Sequence, residues 1–216
     1  MKKVDQSASS SKFAWLTAPG SREKPAYDIV VAQNEHFVAM PSLGSIVPGW
    51  MLLVPRRPMT TLSLMNSDER QSLEALRTEI TERLASYRAS AIFAFEHGGH
   101  TRSVVSCGVD RAHLHLVPLD FDLIEAARKH DLGWQPCVSV SALSEDVTSG
   151  REYLFAESTD AALIGFPKAP TSQWFRRLIA QECGVEEWDY KTAPKLEQIK
   201  ATAANMMPRS TTMLKN

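Results

Sequence analysis

The chain has 216 residues, a formal net charge of −1, 44% apolar residues and 23% charged residues. That is enough material to bury a core without covalent staples, as one domain with extensions or as two small domains. The balance excludes a broadly basic surface for nucleic acid, and no run approaches the roughly 18 apolar residues of a membrane helix. The three cysteines are far apart, form no CxxC and read as reduced thiols of a cytoplasmic protein.

Residues 1–24 are rich in Ser, Lys and small side chains, and they lack the apolar stretch of a secretory signal. They read as a loosely ordered arm, with Phe13 and Trp15 able to dock it. AYDIVVAQ and HFVAMP, separated by Asn34-Glu35, predict a hairpin. Trp50 to Val54, closed by Pro55, predicts a buried strand. Ser67 opens a helix with acids in its first turn, and Leu73, Leu76, Ile80 and Leu84 fall on one face up to about Tyr87. Ala91 to Glu96 reads as a strand, followed by a loop from His97 to Asp110. Beyond Pro118 the signals weaken. A short helix over Leu123 to Lys129 is expected, then a hairpin of Tyr153–Glu157 with Ala162–Phe166. A helix over Trp174 to Glu182 capped by Ser172 follows, then a last one over Lys195 to Ala204 and a frayed tail.

The informative stretch is DRAHLHLVPLD. Alternation predicts a strand, and residues two apart in a strand share a face. Arg111, His113 and His115 therefore point one way, and Leu114 and Leu116 the other. Paired imidazoles could hold a metal, hold a phosphate or attack one. A zinc site of His113, His115 and Cys107 or His97 is chemically sensible, but no cysteine pairing supports it. The bland alternative is two strand histidines with ordinary polar partners.

The block from Tyr27 to Pro118 resembles the histidine triad (HIT) superfamily, whose signature H-φ-H-φ-H-φ-φ is often followed by Pro. RAHLHLVP fits that signature with Arg111 in the first histidine's place. VPGWMLLVP resembles the family's PGHxLVxP strand, with Trp50 in place of histidine. Phe95-Glu96-His97-Gly98 resembles the segment before the family's phosphate loop. The resemblance implies an α+β fold, a meandering antiparallel sheet with a long helix, over residues 25–120. Residues 121–216 would be a mixed extension packed on that core, and many members are homodimers.

The resemblance also implies a nucleotide or nucleotide-conjugate substrate and makes His113 a nucleophile towards its α-phosphate. His115 becomes a phosphate donor, and Arg111 a grip on phosphate. The pocket would be completed by Trp50, by Ser42 where some members hold ribose, by His97, and by backbone amides around Cys107 and Gly108. His97 and His100 flank Gly98-Gly99, either as a solvated turn or as a mobile proton donor. The chemistry requires no metal or other cofactor, although magnesium could arrive with a polyphosphate. His115 favours a hydrolase, since family transferases often carry Gln there. A nucleotidyl transferase or phosphorylase is the alternative, and Arg111 and Trp50 also allow a catalytically weak binder. Arg56-Arg57 and Arg176-Arg177 read as solvated surface rather than phosphate grips.

Overall fold

A computed structural model of the chain describes residues 12–17, 23–99, 111–169 and 171–208. Among these residues, eight strands form one antiparallel sheet: β1 (Ala32–Gln33), β2 (Phe37–Pro41), β3 (Met51–Pro55), β4 (Ala91–Gly98), β5 (Leu114–Leu119), β6 (Gln135–Cys137), β7 (Tyr153–Glu157) and β8 (Ala162–Gly165). Their order is β1-β2-β3-β5-β4-β7-β8-β6. The helices are α1 (Ser67–Tyr87), α2 (Leu123–Arg128), α3 (Glu145–Thr148), α4 (Trp174–Glu182) and α5 (Leu196–Met206). The fold is α+β, as the resemblance implies. The extension contributes strands to the same sheet, because β7 pairs with β4. Both ends of the sheet are short, two residues in β1 and three in β6, which limits unpaired edge.

Period-two alternation sorts the central strands cleanly. Phe37, Ala39, Met51, Leu53, Leu114 and Leu116 face α1 and bury its Leu73, Leu76, Ile80 and Leu84. The opposite face is covered in two parts. Trp50, Phe93, Phe95 and Val117 lie under Leu123 and Ile124 of α2 and Phe175, Leu178 and Ile179 of α4. Val38, Met40, Leu52 and Val54 lie under Phe13. The histidine pair sits where these two covers meet.

Several boundaries differ from the expectation. AYDIVVAQ yields only the two-residue β1, and Asp28 within it accepts a hydrogen bond from Trp15 Nε1 at 2.9 Å. The N-cap of α1 is Asn66, not Ser67: Asn66 accepts from Glu69 N while Glu69 accepts from Asn66 N. The N-cap of α4 is Gln173, not Ser172. Strand β6, in the stretch where the sequence signals weaken, contains Pro136. The proline is tolerated here because β6 pairs on one side only, with β8. The tail beyond residue 208 lies outside the described residues.

On the α1 face, Glu96 is 1% exposed. It accepts from Leu62 N at 2.7 Å and from the Tyr153 hydroxyl, which also meets Thr61 Oγ1 at 2.6 Å. Burial, ahead of these hydrogen bonds, pushes its carboxyl up from 4.5 to about 7. A raised folded-state pKa gives stability that is complete below 4.5 and lost as pH rises through 7. Glu96→Gln mimics the protonated acid. It is expected to match the native chain near pH 4.5 and to exceed its stability at pH 8 by up to about 3 kcal/mol. Denaturant midpoints at the two pH values check this, and an equal difference at both would refute it.

Candidate active site

Strand pairing assembles the site. Leu52 of β3 and Phe95 of β4 flank His115 in register, and His113 lies one pleat before it. The two imidazoles are 4.7 Å apart, edge to face. Phe95 stacks on His115 at 4.3 Å, and Phe13 meets His113 edge-on at 6.2 Å. Both histidines are more than nine-tenths buried.

Hydrogen bonding assigns their tautomers. His113 Nδ1 lies 2.9 Å from the Arg111 carbonyl. A carbonyl only accepts, so Nδ1 carries the proton and Nε2 keeps its lone pair. Trp50 Nε1 lies 2.8 Å from His115 Nδ1. An indole only donates, so Nδ1 of His115 accepts and its Nε2 carries the proton. Burial first, helped by surrounding cations, lowers His113 from 6.5 to about 4 and His115 well below its usual value. The pair is therefore neutral at pH 7, with one ring offering a lone pair and its neighbour an N–H.

Both rings line a cavity with Lys12, Phe13, Ser42, Trp50, His97, Gln173, Arg176 and Tyr190, among others. Its volume is about 40 Å³. That suits a few waters and is far below the roughly 300–1,000 Å³ of a pocket that encloses a drug-sized ligand.

The residues singled out from sequence fall into three groups. His113, His115, Trp50, Ser42 and His97 all line this cavity. Trp50 is fully buried and anchors His115. His97 is not on a loop: it lies within β4, with Nε2 2.7 Å from Glu152 Oε1. Arg111 turns elsewhere. Its guanidinium donates to Phe13 O at 2.9 Å and Thr17 Oγ1 at 3.2 Å. It remains a cation although burial lowers it to about 10. His100, Cys107 and Gly108 lie outside the described residues.

Sequence reasoning expected Phe13 to dock the arm but missed that Lys12 and Phe13 line the cavity, and missed the part played by Arg176. Lys12 and Phe13 come from the arm, where Phe13 is 1% exposed. Arg176 corrects the expectation of a solvated pair: it is buried, while Arg177 is exposed. Arg176 donates to the carbonyls of Leu43 and Gly44 and to Ser42 Oγ, and lies 4.8 Å from the Trp50 ring centre. Gly44 is required there. Its φ is +63°, and a Cβ would stand 2.6 Å from Tyr190 Cα. A legible signal for Arg176 existed in SQWFRRLIA, where it precedes the buried Ile179 and Ala180 by three and four residues, one turn along the same face of a short amphipathic helix. Arg176 gives the cavity a cation, which suits an anionic ligand.

Among the described residues, no three His, Cys, Asp or Glu side chains converge as a metal-ion set, and no helix is long and apolar enough to cross a membrane. Residues 23–122 match the family model of the HIT domain, which supports placing this segment in the histidine triad superfamily. Arg176, Gln173 and Tyr190 lie outside the matched segment. No curated protein matches the chain.

Proposed function

We propose that this protein is a nucleotidyl hydrolase acting on a nucleotide ester, anhydride or phosphoramidate. The HIT domain match suggests a nucleotide ligand and a hydrolase or transferase. The observation that carries the finer reading is the complementary tautomer pair, with a lone pair on His113 Nε2 and a proton on His115 Nε2. In this reading His113 Nε2 attacks the α-phosphorus. The N–P bond forms as the bond to the leaving group breaks, and the leaving group departs with the electron pair. Water then attacks phosphorus as the N–P bond breaks; its proton passes to the released leaving group or to solvent, the nucleoside monophosphate leaves, and Nε2 regains its lone pair. The His115 N–H supports charge developing on phosphoryl oxygens, and the Arg176 cation favours the anionic substrate. The replacement of the first triad histidine by Arg111 is compatible with this chemistry, because His113 is oriented by that residue's main-chain oxygen rather than its side chain.

The nucleoside needs more room than the cavity offers, so entry requires residues 12–17 to lift from β2 and β3. That cover also favours a second reading, a nucleotide binder with little turnover. The expected homodimer would form through surfaces other than the outer edge of β4, which β7 occupies.

Incubation with a nucleoside phosphoramidate, followed by rapid denaturation and mass spectrometry, separates the readings. A nucleotidyl adduct on His113, absent in His113→Ala, supports the hydrolase. Binding without an adduct or turnover supports the binder. Acceleration by inorganic phosphate instead of water would indicate a phosphorylase. Trp50→Phe, which removes the donor to His115 Nδ1, is expected to lower kcat about tenfold with little change in KM. Steady-state kinetics checks it.

A further inference from the structure

Gln173 has three properties that are rarely found together. Its backbone is left-handed, with φ +53°, a conformation that costs a side-chain-bearing residue free energy. It is the N-cap of α4, yet its side chain makes no capping hydrogen bond. It is 6% exposed and lines the cavity of His113 and His115.

The orientation of its carboxamide follows from its neighbour. Gln173 Nε2 lies 3.4 Å from Asp189 Oδ1, which also accepts from Lys191 N at 3.0 Å. A carboxylate oxygen accepts, so the NH₂ end must face Asp189 and the carbonyl end is directed away from it. Gln173 Oε1 is buried without a hydrogen-bond partner among the described residues. More than nine in ten buried polar groups are paired, and orphans held on strained backbone cluster at functional sites.

We propose that Gln173 is a specificity-determining residue, whose Oε1 accepts a hydrogen bond from an amino or hydroxyl group of the nucleoside part of the ligand. The inference rests on the nucleotide reading above and assigns a recognition role to the extension. Ser42 Oγ, which also lines the cavity, already accepts from Arg176 Nη2, whereas Gln173 Oε1 accepts from no group among the described residues. A ligand lacking the matching donor leaves Oε1 buried and unpaired, which makes rejection stronger than the loss of one solvated contact.

The test measures binding of nucleoside monophosphates by calorimetry to the native chain, Gln173→Leu and Gln173→Glu. Three matched pairs are used: adenosine against purine riboside, guanosine against inosine, and a ribonucleoside against its 2′-deoxy form. The native chain is expected to prefer the donor-bearing member of one pair by about 10- to 100-fold. Gln173→Leu should erase that preference while leaving affinity for the donor-lacking member within about threefold, whereas Gln173→Glu keeps an acceptor but sets a second carboxyl group against Asp189, so it should bind every member more weakly while retaining the preference. The pair that responds identifies the donor as a base amine or a ribose hydroxyl. Equal binding within every pair by the native chain overturns the role of Gln173 but leaves the nucleotide reading intact. A uniform loss across all ligands in Gln173→Leu overturns it too, marking a merely structural residue. No binding of any monophosphate by a folded native chain overturns the nucleotide reading itself.

Discussion

His113→Ala is expected to lower turnover by about four orders of magnitude or more, the scale seen when a catalytic nucleophile is removed. The size follows from the site. His115 cannot take over, because Trp50 engages its Nδ1 and its Nε2 carries the proton. Water would have to attack the substrate directly, with only the donors and the Arg176 cation of the cavity remaining. The substitution also deletes a buried ring between Phe13 and His115, so stability must be measured alongside. A folded His113→Ala with undiminished turnover would falsify the covalent route. The depressed pKa of His113 adds a pH signature. A base lowered from 6.5 to about 4 stays neutral in the folded state down to that pH, so the nucleophile should titrate near 4 rather than near 6.5. The sign for stability is opposite to that of Glu96. The unfolded chain takes up the proton first, so the fold loses up to about 3 kcal/mol between pH 6.5 and 4 through this residue. The two slopes oppose each other, and the single variants are needed to see either.

Phe13→Ala is expected to raise kcat/KM about 10- to 30-fold. Phe13 is 1% exposed against Val38, Met40, Leu52 and Val54, so the truncation removes about 2 kcal/mol of the burial that holds residues 12–17 down. If the open form is the one that binds, apparent affinity rises in proportion to its population. Arg111, bonded to Phe13 O and Thr17 Oγ1, still restrains the segment, so the gain is partial. The rise should appear mainly in KM, because the histidine tautomers do not depend on Phe13. A fall in kcat/KM with a higher KM would show instead that Phe13 forms part of the substrate site and is not a cover over it.

Much of the centre of the molecule was legible because it is local. The alternation in AHLHLVP placed His113 and His115 on one face, and the apolar spacing from Leu73 to Leu84 placed α1 on the other. The hairpin of Tyr153–Glu157 with the following apolar run appears as β7 and β8. What failed was local where several side chains compete for one role. Asn66 caps α1 in place of Ser67, because its partner Glu69 lies three residues on.

The sequence by itself placed His113 and His115 on one face of a strand, because strand period is written in neighbouring positions, and its resemblance to the histidine triad superfamily implied the α+β class that the sheet and helices bear out. Only the tertiary structure decided what surrounds them. Arg111 reaches back about a hundred residues to Phe13, and Arg176 reaches across to Ser42 and Gly44. Trp50 chose His115 as its partner, and the extension completed both the sheet and the cavity. Those contacts join segments distant in the chain. Their side chains reveal no direction until the strands pair, and a buried arginine or glutamine reads like a surface one until its partners are in place.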